Sequence, residues 1–290
     1  MRAPSAGDIS MTVTAYYFGA YQINNFANGL GLSLLSKSVD MPVIKPMTFT
    51  VARREGLKKS GEVIDARSIE LQIKIVGSSR ADLMSRIDAL QQNLALRGQA
   101  LMIHEDGRVY RNVDCIEATV KLEAAKDLIS ALATCKFMAY DPFAYAATSS
   151  SYDSGIVALT LAGSIYNFPA INISGGGNVY SYPFIHMINK SAVAWTSISI
   201  NQSQDGQTLT TTNTGYAPLP SAVNDYLDIQ CDPAVTNGYS IQMNSSGKFS
   251  DPVGVFPVIE SGNTTFTIGI TAGSSLSAEV QISWNARYLS

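Results

Sequence analysis

The stretch SIELQIKIVGSSRADLMSRIDALQQNLALRG, residues 68–98, constrains the chain more than any other. Ile69, Leu71, Ile73 and Ile75 alternate with Glu70, Gln72 and Lys74. An extended strand therefore carries its aliphatic groups on one face and its polar groups on the other. Gly77 ends the alternation. Ser79 and Asp82 stand at capping-box spacing, with Asp as a short substitute for the usual Glu or Gln. Leu83, Ile87, Leu90 and Leu94 then recur at intervals of four, three and four, which is one stripe of an amphipathic helix of about four to five turns. Gly98, directly after Arg97, predicts a left-handed helix stop. Burying each of the four aliphatics is worth about 1.5–3 kcal/mol. The helix is thus expected to lie on a sheet and to be held there by packing.

Around this unit the first half reads as strands. ISMTVTAYYF and 47–52 suggest two, and CIEATVKLEA and LISALATCKFMAY two more. ALMIHEDGRVYRNV suggests a hairpin turning at Asp106-Gly107. NFANGLGLSLLS and RREGLKKSGEVI lack a strand period and are expected to be loops, the second strongly charged. One helix on six or seven strands makes an α+β domain, a split barrel or sandwich. After about residue 145 the character changes. Residues 1–150 hold 17 Lys/Arg and 15 Asp/Glu, whereas residues 151–290 hold 3 and 8. Short alternating runs such as SYPFIHMIN, AWTSISIN, DYLDIQC, TTFTIGITA and SAEVQISWNARYL follow, separated by Gly, Asn, Asp and Pro. This is the pattern of an antiparallel β-sandwich. The expected division is 1–145 and 146–290, with Asp141-Pro142 closing the first domain and the polar run Thr148–Ser151 as a tether. The class is mainly β.

Charged residues are only 15% of the 290-residue chain and the net charge is −3, so no global field points to nucleic acid or an anionic membrane. The N-terminal stretch has no signal-peptide pattern, and no apolar run is long enough to span a bilayer. Cys115, Cys135 and Cys231 lack metal or disulfide spacing and are expected to be reduced and buried. The two histidines, His104 and His186, stand apart from any metal motif, so no cofactor is expected. SGGGN at Ser174–Asn178 lacks the lysine of a phosphate loop and suggests a flexible turn. A sandwich can be a glycoside hydrolase, but no pair among Asp153, Asp205, Asp225, Asp228, Asp232, Asp251, Glu260 and Glu279 stands out as an acid and base, so no catalytic residue is assigned. A carbohydrate-binding module is the stronger alternative, with Trp195 as the candidate sugar-stacking residue; Trp284 follows Val280 and Ile282 and belongs to the apolar face.

The motifs in order resemble one family. RREGLKKSGEVIDARSIELQIKIVGSSRADLMSRIDALQQNLAL contains an Arg67-Ser68-Ile69 strand start and a Gly77, Arg80, Leu83 helix start. GRVYRNV follows, with Gly107-Arg108 and Tyr110, and near the end Phe256-Pro257 and Gly262-Asn263 precede the aromatic-ended VQISWNARYLS. In these features the chain resembles the distal tail proteins of long, non-contractile-tailed bacteriophages. The resemblance implies an N-terminal belt domain, a C-terminal galectin-like sandwich and a place at the far end of the virion tail. It also implies a homohexameric ring joining the tail tube protein to the tail-tip hub protein, sometimes anchoring baseplate or receptor-binding proteins. DNA passes through such a ring without specific binding. A cyclic ring needs two different complementary surfaces on each subunit. Arg53, Arg54, Lys58 and Lys59, with Arg67 beyond them, are the candidate interface.

Overall fold

The computed structural model describes residues 15–50, 57–103, 106–123, 129–202, 206–212, 219–233, 239–244 and 253–289. The chain forms two compact units that meet between Ala144 and Tyr145. In the first lie β1 (Tyr17–Phe18), β2 (Tyr21–Gln22), β3 (Gly31–Val39), β4 (Ile44–Thr50), β5 (Leu57–Ile64), β6 (Arg67–Val76), α1 (Arg80–Leu94), β7 (Gln99–Met102), β8 (Val109–Leu122) and β9 (Ser130–Ala139). One antiparallel sheet runs β2-β1-β7-β8-β9-β6-β3, while β4 and β5 pair only with each other.

The period-2 segment is β6, in register with β9 from Arg67↔Ala139 to Val76↔Ser130. Ile69, Leu71, Ile73 and Ile75 are fully buried on one face, and Leu83, Ile87, Leu90 and Leu94 are the buried stripe of α1. The helix rests against β6 and β8. It thus crosses β9, whose buried Ala131, Ala133 and Cys135 are small enough to let it approach. At the helix start the Ser79 hydroxyl accepts from Asp82 N at 3.1 Å. The reciprocal bond goes one residue further out than a capping box places it: Asp82 Oδ2 accepts from Ser78 N at 2.7 Å.

Several expectations change here. The helix ends at Leu94 with Ala95 as its C-cap, and Gly98 takes its left-handed φ of 62° three residues later, at the entry to β7. The β7–β8 hairpin closes at Met102↔Val109, so Asp106-Gly107 belongs to a longer loop and is not a two-residue turn. GRVYRNV and CIEATVKLEA merge into the single 14-residue β8, whose register shifts between Cys115 and Glu117. The segment expected to loop at GLGLSLLS is the edge strand β3, and LKKSGEVI is the strand β5.

Short β10 (Ala144–Tyr145) marks the passage between units. The second unit contains β11 (Ser150–Asp153), β12 (Val157–Ala158), β13 (Thr160–Ala162), β14 (Ile165–Asn167), β15 (Ile171–Ser174), β16 (Phe184–Asn189), β17 (Trp195–Gln202), β18 (Thr208–Thr212), β19 (Tyr226–Gln230), β20 (Ser240–Met243), β21 (Val253–Gly254), β22 (Asn263–Ala272), β23 (Ser277–Trp284) and β24 (Arg287–Tyr288). Two antiparallel sheets result. One follows β11-β23-β16-β19-β20, with β12 also on β23; the other follows β13-β14-β22-β17-β18-β21, with β15 also on β22. Ile185, Met187, Leu227, Ile229, Val280 and Ile282 from the first meet Ile198, Ile200, Leu209, Phe266, Ile268 and Ile270 from the second in one core, the sandwich-like arrangement expected of alternating strands. No helix occurs among the described residues of this unit. The supposed tether is partly strand, because Ser150 and Ser151 pair with Trp284 and Ser283. The SGGGN loop is not a flexible turn. Gly176 O accepts from Arg287 N at 3.0 Å, and a side chain at Gly177 (φ +95°) would collide with the Arg287 carbonyl.

Candidate functional site

The β4–β5 hairpin is an arm. It continues from the β3–β6 pair, which ends at Val39↔Ile69, through Asp40 N→Ser68 O at 3.1 Å and Asp65 N→Val43 O at 2.9 Å. Beyond that root the two strands pair only with each other, from Ile44↔Ile64 to Thr50↔Leu57, with a bulge between Met47 and Thr48. Val43, Ile44, Met47 and Val63 are all exposed, Val43 at 58%, and Met41 just before them at 72%. An isolated two-stranded ribbon is marginal in water unless an apolar face is covered. Consecutive residues 43–48 are exposed, on both faces of β4. The strand expected at 47–52 is β4, which begins earlier, at Ile44. Lys45 pairs with Asp65 across the root, and that contact holds the Asp65 carboxyl below its usual pKa.

The candidate interface residues divide into three. Arg53 and Arg54 fall outside the described residues. Lys58 and Lys59 stand on β5 opposite Phe49 and Thr48; the backbone is described there, the side chains are not. Arg67 lies at the root of the arm and points inward, 1% exposed. Its Nη1 donates to the Tyr110 hydroxyl at 2.9 Å, and its guanidinium lies 5.5 Å from the Tyr110 ring centroid. Burial raises the Tyr110 pKa, which keeps that hydroxyl protonated. Arg67 thus has almost no surface for a neighbour to touch, and ties the arm's base to β8.

In the second unit Trp195 is 0% exposed at the centre of the core, which removes it as a sugar platform. Trp284 is also buried and donates to Gly175 O at 3.2 Å. His104 lies outside the described residues. His186, expected to be structural, belongs to a polar row that sequence alone did not assemble. Across the outer face of the β11-β23-β16-β19-β20 sheet, Asp153 opposes Gln281, Gln281 opposes His186, His186 opposes Asp228, and Asp228 opposes Gln242. His186 Nδ1 meets Asp228 Oδ1 at 2.6 Å, and the imidazole packs on the Tyr226 ring at 5.0 Å. Lys190 bonds Glu279 at 3.0 Å and lowers its carboxyl pKa. A cleft of about 270 Å³ opens along this row. Among the described residues no cluster of three or more His, Cys, Asp or Glu can hold a metal ion, and no helix is long and apolar enough to cross a membrane. Cys115, Cys135 and Cys231 are free and buried, and desolvation pushes the Cys135 thiol up to about 12.

No protein-family model matches the chain, and no curated protein sequence matches it. Solved structures do. The crystal structure of the SPP1 Dit protein, described as a paradigm of hub adsorption apparatus in Gram-positive infecting phages, aligns with a TM-score of 0.63 at 12% identity, covering 94% of this chain and 98% of that one. Two structures of the phage P2 baseplate in its activated conformation, with calcium and with strontium, align at 10% identity and TM-scores of 0.42 and 0.39. They cover 91% and 90% of this chain and 92% of theirs, and are too distant to bear on the fold. In fold, and over nearly its whole length, the chain is similar to the SPP1 Dit protein.

Proposed function

We propose that this chain is a structural component of a phage tail tip, a distal tail protein. In this reading the first domain (1–145) is the belt that closes a hexameric ring, and the second (146–290) is a galectin-like sandwich on its outside. The observation that carries the proposal is the β4–β5 arm, which leaves apolar side chains exposed and, among the described residues, has no further partner strand. A ring supplies the missing cover, because each subunit's arm lies on a different surface of the next. In this reading Lys58 and Lys59 on β5, with Arg53 and Arg54 in the sequence between β4 and β5, contribute charge to that contact, while Arg67 acts through the root by fixing the arm's direction. The likeness to SPP1 Dit supports the same reading. The ring joins tail tube to tip hub, its channel lets DNA pass, and no bond-breaking step is assigned to any residue. Native mass measurement and electron micrographs of the purified protein test the ring. Truncating the arm between Met41 and Asp65 should abolish ring closure and leave a folded monomer.

A further inference from the structure

The cleft on the outer face of the second unit is built from the wrong groups for a passive surface. Its lining includes Asp153, His186, Gln281, Ser151, Ser283 and Phe184. Phe184 and Ser283 are cross-strand partners, as are Ser151 and Ser283, so an aromatic ring and two hydroxyls flank the polar row. The hydrogen bonds already made decide what the row still offers. His186 Nδ1 meets Asp228 Oδ1 at 2.6 Å, so that edge of the ring is already taken. Gln281 Nε2 donates to Glu279 Oε1 at 2.7 Å, which turns its carbonyl oxygen free to accept. Asp153 adds a carboxylate whose Oδ1 accepts from Gly155 N at 2.8 Å and whose Oδ2 accepts from Gln281 Nε2 at 3.4 Å, with lone pairs left over on both oxygens. The cleft is therefore rich in acceptors, with a half-buried aromatic face beside them.

We infer that this cleft binds a neutral saccharide. Sugar hydroxyls supply the donors that the acceptors lack, and the C–H face of a pyranose matches the Phe184 ring. Anionic ligands are disfavoured, since Asp153 lines the cleft, Asp228 and Glu279 bond its lining residues His186 and Gln281, and Lys190 is already paired with Glu279. A volume of about 270 Å³ is just below the usual ~300 Å³ floor for small-molecule sites, which suits one sugar ring and not a long chain. The cleft takes the place of Trp195, which the core encloses.

Isothermal titration of the full chain tests the inference, with trimers of glucose, galactose and N-acetylglucosamine and, as the anionic comparison, polyglycerol phosphate. Saturable binding of at least one neutral trimer is expected. Phe184→Ala and Gln281→Ala should each weaken it by about tenfold, equivalent to 1.4 kcal/mol, with melting temperatures near wild type. Val253→Ala, on the other sheet, should leave it unchanged. No saturable heat with any neutral trimer at about 10 mM, a Kd equal in wild type and both cleft variants, or preferential binding of the polyanion would overturn it. Should either cleft variant melt much earlier, Ser283→Ala, which lines the same cleft, gives the same reading.

Discussion

Arg67 opens β6 at the base of the arm, and its guanidinium reaches 43 residues along the chain to the hydroxyl of Tyr110 on β8. One strand, β9, separates β6 from β8 in the sheet. The pair therefore clamps the arm's root across a full strand, inside a core where a charge is costly unless it is bonded.

Removing that clamp should cost more than removing the hydroxyl alone. Arg67→Ala leaves a buried void, removes the donor to the Tyr110 hydroxyl and is expected to destabilise the protein by about 2–4 kcal/mol. Tyr110→Phe should cost about 1–2 kcal/mol. Urea denaturation checks both, and a loss below 0.5 kcal/mol for Arg67→Ala, itself about the scatter of surface changes, would contradict the clamp.

The helix gives a second test. Ser79→Ala removes the acceptor for Asp82 N and should cost about 1 kcal/mol. Leu90→Ala opens a cavity under a fully buried position and should cost about 2–5 kcal/mol. The ratio of the two, read from the same denaturation curves, shows whether packing holds the helix more strongly than its cap.

Acid sensitivity has a defined direction. The bonds from Asn244, Ser221 and Ala222 lower the Asp225 pKa, and those from Ser78 and Arg86 lower that of Asp82. A carboxyl depressed in the folded state adds stability that is present above its unfolded value, near pH 4, and is lost as pH falls through the folded value. Melting temperature should therefore be flat above about pH 5 and fall below about pH 4. Asp225→Asn should flatten part of that fall in a pH series, and an unchanged acid limb would remove Asp225 from the account.

Gly177 marks the limit of tolerance in the second unit. It combines a φ of +95° with backbone of Arg287 where a side chain would go. Gly177→Ala should lower the melting temperature sharply, by about 3 kcal/mol or more in stability, whereas Gly155→Ala, with open space around it, should show only backbone strain of about 1 kcal/mol.

How much of this was legible in the sequence depended on burial. The buried faces of β6 and α1 were readable because each element has one such face, so apolar positions record the geometry. β22 and β23 were readable for the same reason. β3 and β5 were missed where they leave that regime: β3 is an edge strand whose last residues are exposed, and β5 belongs to the arm. Gly98 was placed at the helix end because a glycine after an amphipathic stripe is the usual stop, but the helix frays into a turn at Ala95 and the glycine serves the next strand. His186 and Asp228 were each visible as strand residues. Their contact depends on a strand register that spans 42 residues, which no local pattern encodes.

Arm-mediated closure is the central claim, and the mass of the assembled protein tests it most directly. Native mass spectrometry of the purified chain should give a species six times the 31.1 kDa subunit, about 187 kDa, seen as a closed annulus in micrographs. The Arg53→Ala/Arg54→Ala double variant should shift that species toward monomer with little change in melting temperature. A chain that remains at 31.1 kDa at every concentration, or a double variant that closes rings as well as the wild type, would contradict it.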